Sequence, residues 1–191
     1  MKAPFNRIPW AKVLAVLLLV LMPVPVGQAA TIIVPCDINE LIKAINTANE
    51  NAGAETLELA TDCTYTATAI DNTGDRGTNA FPQITSDITI NGHNTTIQRS
   101  SNSGTPQFRF FEVRPSGKLT LNHLTFIKGM NDDFENNREK GGAIANFGIL
   151  EVSNNIFTEN RGGCGGAIFS EGDTAILTVT NSTFTNNPAD G

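Results

Sequence analysis

Five short apolar–polar–apolar triplets recur along this chain at nearly constant spacing, and no other feature restricts its fold as much. Leu57-Glu58-Leu59, Ile88-Thr89-Ile90, Leu119-Thr120-Leu121, Leu150-Glu151-Val152 and Leu177-Thr178-Val179 begin 31, 31, 31 and 27 residues apart. The run from Leu150 to Asn160 aligns without a gap on the run from Leu177 to Asn187, so Phe157 matches Phe184 and Asn160 matches Asn187. Gly141-Gly142-Ala143-Ile144 returns as Gly165-Gly166-Ala167-Ile168 after 24 residues, and a three-residue extension between Ser170 and Ile176 makes up the difference. Self-similarity at roughly 20–50 residues marks a solenoid, a propeller or an array.

Residue types choose among these. Period-2 alternation and abundant Asn, Thr and Gly exclude a helical repeat. A propeller blade needs four hairpin-linked strands and ~40 residues or more. A parallel β-helix coil needs only about three short strands with tight turns, its inward side chains stacking on their equivalents ~4.8 Å along the axis. In that geometry Asn154 and Asn181 fall at a corner, where Asn tolerates left-handed φ and can ladder its amide with the next coil. The Gly-Gly pairs permit turns where a Cβ would clash. Phe157 and Phe184 are expected to stack in adjacent coils. The predicted fold class is all-β, a right-handed parallel β-helix of about five coils over residues 57–191, with one N-terminal capping α-helix.

That helix is read from Ile38 to Asn49 within a cap region, residues 31–56. Asp37 is a good N-cap, and Glu40 stands where a capping box places its acid. Ile38, Leu41, Ile42, Ile45 and Ala48 share one face, and Asn51 and Gly53 supply the stop. Such a face needs a flat apolar partner, and the first coil of a solenoid needs a cover. The last coil has no such cover before Gly191. The open end is expected either to continue in further coils or to associate with another chain.

Residues 1–30 read as a signal peptide: Lys2, Arg7 and Lys12, an apolar run from Val13 to Met22, Pro23 and Pro25, then Gln28-Ala29-Ala30. The alternative is a membrane anchor, but the uninterrupted apolar run is shorter than the ~20 residues that cross a bilayer. The mature chain would begin near Thr31, with no membrane span. It keeps ten of the thirteen basic groups against nineteen acidic ones, a formal net charge of −9. An acidic surface without a basic cluster is repelled by phosphate backbones, which argues against nucleic acid.

Cys36, Cys63 and Cys164 suit an exported chain. Cys36 and Cys63 flank the helix and either form a disulfide that pins it to the next strand or remain free and buried. Cys164 sits between glycine pairs with no base assigned to it, and His93 and His123 read as turn residues. No cofactor and no metal motif is read. The outward triplet positions are Glu58, Thr89, Thr120, Glu151 and Thr178, without the carboxylate pair ~5–10 Å apart that glycoside hydrolysis uses. Acids gather in two loops, Asp71 to Gly77 and Asn131 to Glu135. Asp132, Asp133 and Glu135 form the candidate metal or sugar site, with Lys128, Arg138 and Lys140 near in sequence. The alternative is a solvated insertion between coils.

Cys36, Leu41, Ala44-Ile45, Ala48-Asn49, Thr56-Leu57-Glu58-Leu59 and Ile84-Thr85-Ser86-Asp87-Ile88-Thr89-Ile90-Asn91-Gly92 resemble the N-terminal module known by its CSLREA motif. That motif reads Cys-Asp-Ile-Asn-Glu-Leu-Ile here. Gly-Gly-Ala-Ile and Phe-x-x-Asn are similar to the repeats of polymorphic outer-membrane proteins. The resemblance implies the pectin-lyase-like β-helix, a fold shared by lyases, hydrolases and adhesins. The expectation is an exported, non-catalytic surface module, adhesive or structural, whose partners are surface glycans or a host or neighbouring cell. The alternative is a polysaccharide lyase or hydrolase.

Overall fold

The computed structural model describes residues 29–51, 53–74, 77–131 and 140–189. Residues 1–28 of the leader, and Asp132, Asp133, Glu135 and Arg138, lie outside them.

The chain enters as β1 (Thr31–Val34) and passes into α1 (Ile38–Glu50). Asp37 caps α1 by accepting the Asn39 N–H at 2.7 Å. The reciprocal bond expected from Glu40 is replaced: the Asp37 N–H donates to the Pro35 carbonyl, and Glu40 turns to Lys43 at 3.5 Å. Leu41, Ala44, Ile45 and Ala48 are buried, and the whole apolar face joins the core of the stack. Cys36 and Cys63 form a disulfide with Cα atoms 5.7 Å apart, which ties α1 to the start of the second strand pair. Buried Tyr65 adds to this tie by donating to the Pro35 carbonyl at 2.9 Å and accepting the Ala60 N–H at 3.2 Å.

Beyond the helix come β2 (Glu55–Leu59), β3 (Thr64–Ala67), and β4 (Asn72–Gly74) with β5 (Gly77–Asn79) as an antiparallel hairpin. Long β6 (Asp87–Arg99) turns a corner, pairing β2 with its first half and β3 with its second. There follow β7 (Phe111–Val113), β8 (Lys118–Ile127), β9 (Met130–Asn131), β10 (Ile144–Asn146) and β11 (Ile149–Ser153). The last are β12 (Ile156–Thr158), β13 (Arg161–Gly162), β14 (Ile168–Ser170), β15 (Ile176–Thr180) and β16 (Thr183–Thr185). The main sheet runs β1-β2-β6-β8-β11-β15 in parallel, and β7, β10 and β14 line a further side. This is a parallel β-solenoid of about four turns, one fewer than the five triplets suggest. The side lined by β7, β10 and β14 holds only three strands.

From β6 onward the register is that of the triplets, Ile88–Leu119–Leu150–Leu177 and Ile90–Leu121–Val152–Val179. The first coil departs from it by two residues: Leu57 pairs with Ile90, and Glu55 takes the place opposite Ile88. A slip of one residue would turn every side chain to the wrong face, whereas two residues preserve the alternation. Two consequences follow. Glu55 points inward, 2% exposed, with its Oε2 unpartnered among the described residues. Thr56 heads the outward Thr89–Thr120–Glu151–Thr178 row, and Glu58 heads a row of Asn91, Asn122, Ser153 and Thr180 instead.

Two internal ladders hold coil to coil. Phe126, Phe157 and Phe184 stack with centroids 4.9 and 4.8 Å apart, the second pair nearly parallel at 4°. Offset-parallel rings add to the burial they already contribute. The second ladder is of buried asparagines. Asn155 accepts the Leu124 N–H and donates to the Leu121 carbonyl, both at 2.7 Å; Asn160 accepts the Gly129 N–H at 2.9 Å and donates to the Phe126 carbonyl at 3.1 Å. Asn187 repeats the pattern by donating to the Phe157 carbonyl at 2.9 Å. The corner residues Asn154 and Asn181 do take left-handed φ, 56° and 47°, but the Asn154 amide bonds its neighbour Ser153. The ladder belongs to the residue after the corner, whose amide points inward. Gly141 and Gly165 turn at φ 68° and 71°, and a Cβ on Gly142 would overlap the Gly166 carbonyl of the next coil.

Candidate functional site

The acidic loop proposed as a site can be read only through its anchors. Asn131 and Lys140 bracket it, both buried, and the Asn131 amide donates to the Lys140 carbonyl at 3.1 Å. Beneath them lies a charged network that the sequence pattern did not reveal. Arg109 is fully buried and donates through Nε to Asn79 Oδ1 at 2.7 Å, through NH1 to the Lys140 carbonyl at 2.5 Å, and through NH2 to Glu112 Oε2 at 3.4 Å. Glu112, equally buried, also accepts from Gln83 at 2.8 Å and from Arg114 at 3.0 Å. Burial lowers the Arg109 pKa to about 10, opposed by the neighbouring Glu112 charge. The guanidinium is therefore still protonated at neutral pH.

This network consumes its own hydrogen-bonding capacity. It fixes the β4–β5 hairpin, the β7 strand and the foot of the acidic loop to one another. Gly77 is part of the fit: at φ 126° its missing Cβ leaves room for Asn131 Oδ1 and the Arg109 guanidinium. A buried pair satisfied on every side specifies conformation more than it adds stability. Of the basic residues near the loop in sequence, Lys128 and Lys140 are described, and each has partners on other parts of the stack. Lys128 Nζ lies 3.1 Å from Ser101 Oγ and 3.8 Å from Glu159, while Lys140 Nζ meets Glu171 at 3.1 Å and lies over the Phe169 ring at 4.8 Å. Within the Asp71 to Gly77 stretch, read as a loop, Asn72–Gly74 and Gly77 belong to the paired strands β4 and β5, with Asn72 donating to the Asp71 carboxylate and the Phe81 carbonyl.

The two-residue shift assembles a different group on the outer sheet. Glu58 Oε2 lies 2.8 Å from His93 Nε2, and Glu58 Oε1 accepts from the Asn91 amide at 2.7 Å. Asn122 continues the line by donating to Asn91 Oδ1 at 2.9 Å. With Gly92, Asn94 and His123 these residues border an open groove of about 440 Å³. The Asn91 hydrogen bond, with smaller help from His93, holds the Glu58 carboxyl below its ordinary value against the opposing effect of burial. His123 occupies a left-handed turn position at φ 56°, as a turn residue should. A larger cleft, about 480 Å³, lies between Arg114, Phe147 and the Glu171-Gly172-Asp173-Thr174 turn.

Among the described residues no three His, Cys, Asp or Glu side chains are grouped to hold a metal ion, and no helix is long and apolar enough to cross a membrane. Cys164 is a free, partly exposed thiol whose neighbour across the coil is Lys140. Tyr65 is buried at the cap, with no ring face open to a sugar. No family model matches the chain, and no curated protein or solved structure matches it. The architecture itself is a parallel β-solenoid whose first coils are covered by a disulfide-tied helix.

Proposed function

We propose that the chain is an exported surface module, adhesive or structural, whose solenoid presents rows of hydroxyl and amide side chains to other surfaces. The observation that carries this reading is the outward face itself. Thr56, Thr89, Thr120 and Thr178 share one row with Glu151, and Thr64, Thr96, Thr125 and Thr183 share another with Ile156. Neutral donors and acceptors at coil spacing suit the hydroxyls of surface glycans, and the buried ladders keep the rows rigid, so little ordering entropy opposes binding. The Cys36–Cys63 bridge fits an oxidising compartment. The likeness to CSLREA-type modules and polymorphic outer-membrane repeats points the same way, as does the leader before Thr31.

The test is glycan-array and whole-cell binding by the exported chain, with Thr89→Glu and Thr120→Glu as outer-row variants. Binding that falls at least tenfold in the variants, with unchanged melting temperature, supports the reading. Binding unaffected by either substitution counts against it. N-terminal sequencing that finds Met1 retained removes the exported-leader component. One observation favours the second reading, a polysaccharide lyase or hydrolase: the Glu58–His93 contact in an open groove. Turnover of pectate or alginate that vanishes in Glu58→Gln would replace the first reading with the second.

A further inference from the structure

Successive turns on one side of the stack differ in length, and the difference leaves a notch. The chain passes from β7 to β8 through residues 114–117, from β10 to β11 through only 147–148, and from β14 to β15 through 171–175. The third turn contains the three-residue extension that separates the 27- and 24-residue repeat spacings. Strand register carries into these turns: the Phe147 N–H donates to the Val113 carbonyl at 2.9 Å, and the Glu171 N–H donates to the Asn146 carbonyl at 3.0 Å. Arg114, Phe147 and Glu171 therefore occupy the same corner of three consecutive coils. A two-residue turn between longer ones makes a cleft of about 480 Å³, with its floor at Phe147 and a wall on either side. Gly148 lets the floor lie that low, since a Cβ there would meet the Arg114 and Gly117 carbonyls. We infer that this notch holds one neutral sugar residue of a surface glycan, an inference that rests on the surface-module reading and gives it a site.

Dimensions and chemistry both narrow the ligand. The walls stand two coils apart, ~10 Å at a coil spacing of ~4.8 Å, so one pyranose ring fits between them and two abreast do not. The volume falls within the ~300–1,000 Å³ of small-molecule clefts, which combine an apolar or aromatic lining with a few convergent polar groups. The half-buried Phe147 ring forms the floor and leans on Phe169 with centroids 6.4 Å apart. Its apolar face suits the C–H side of a sugar ring. The walls bear opposite charges. On one, Arg114 is held by buried Glu112 at 3.0 Å; on the other, Glu171 is held by Lys140 at 3.1 Å, and Asp173 follows on the same turn. A phosphate or carboxylate drawn to Arg114 would face these two carboxylates, and an organic cation drawn to the carboxylates would face the guanidinium. Sugar hydroxyls suit both walls, because a hydroxyl accepts from a guanidinium N–H and donates to a carboxylate oxygen. A carboxylate offers about four acceptor sites, so one fixed by a partner can still receive a hydroxyl. Wall groups fixed before the ligand arrives lose little entropy when it binds.

The experiment titrates the exported chain with the methyl glycosides of glucose, galactose, mannose and N-acetylglucosamine, followed by saturation-transfer NMR. Methyl glucuronide and methyl galacturonide serve as anionic counterparts. At least one neutral glycoside should bind, and at least tenfold more tightly than either uronide. Asp173→Ala should weaken that binding at least tenfold by removing a wall carboxylate. Phe147→Leu should weaken it at least fivefold, since it keeps an apolar floor but removes the ring face. Asp173 lies in an exposed turn, so its variant decides the matter even if Phe147→Leu folds poorly. The outcomes separate the notch from the module reading. Glycan-array or whole-cell binding without capture of any glycoside, glycoside binding that both variants retain in full, or equal affinity for the uronides overturns the notch and leaves the module standing. A chain that binds neither arrays, cells nor glycosides overturns both.

Discussion

Truncating the phenylalanine ladder one rung at a time should give a graded loss of stability that follows the rings' neighbours. Phe157 is fully buried and has Phe126 on one side at 4.9 Å and Phe184 on the other at 4.8 Å. A buried Phe→Ala typically costs ~3–5 kcal/mol, and the stacked geometry places Phe157→Ala in the upper part of that range. Among the described residues Phe184 has a ring on one side only, and it is 44% exposed. About half of the transfer and cavity cost is then lost, leaving ~1.5–2.5 kcal/mol for Phe184→Ala. For a chain of this size a kcal/mol corresponds to roughly 2–4 °C in Tm. Thermal melts followed by far-UV circular dichroism should therefore show Phe157→Ala falling about twice as far as Phe184→Ala. The double variant should lose less than the sum, because Phe184 has already lost its partner. Equal losses at the two positions would refute the ladder as the source of the difference, and a larger loss at Phe184 would refute the register.

Other positions give sharper signs. Glu55→Leu should raise Tm, since a carboxylate oxygen buried without a partner costs ~1–3 kcal/mol; a fall in denaturation midpoint would show that Glu55 has a role. Gly142→Ala should prevent recovery of folded protein, because the added carbon meets the backbone of Gly166 and of Arg161, neither of which can move aside. Gly104→Ala, at φ 86° with nothing within 4 Å, should cost only ~1 kcal/mol and serves as the control. Glu58 titrates lower when folded, so its contribution is present above the unfolded carboxylate range and disappears as pH falls through the lower folded value. Glu58→Gln should accordingly flatten the acid limb of a stability–pH profile, and an unchanged limb would count against the Asn91 and His93 contacts.

Periodicity made the alternation of faces legible, because it depends only on parity. It left register open, since a two-residue shift preserves parity. The shift at Glu55 and Leu57 therefore escaped the triplets, and with it the meeting of Glu58 and His93, which are 35 residues apart. The gapless alignment of residues 150–160 on 177–187 was enough to pair Phe157 with Phe184, because identical spacing leaves one register. The corner asparagines were identifiable from their tolerance of positive φ. Their neighbours Asn155 and Asn160 carry the ladder, and nothing local distinguishes an inward amide from an outward one. The Arg109–Glu112 network was invisible for a related reason. Both lie in or beside β7, whose sequence does not resemble that of its structural partners β10 and β14, and a charged pair at i, i+3 reads equally well as solvated surface. The acidic residues Asp132, Asp133 and Glu135 stood out by composition, and what the structure adds there is the rigid foot formed by Asn131 and Lys140.

The gradient of exposure along the axis has a kinetic meaning. Each coil is held chiefly by its neighbours about thirty residues away in sequence, so the stack approximates a one-dimensional chain of coupled units. Opening should then travel from β15 and β16 inward, since among the described residues those strands have a neighbour on one side only. It should stop last at the end where α1, Tyr65 and the Cys36–Cys63 bridge secure β1 to β2. Amide hydrogens would record this order as a clock. Those of the Leu177 row exchange first, those of the Leu150 and Leu119 rows later in turn, and those of the Ile88–Ile90 stretch last. Reduction of the disulfide would leave the early amides as they were and quicken the late ones, so a bond at one end would set the pace for the slowest hydrogens in the molecule.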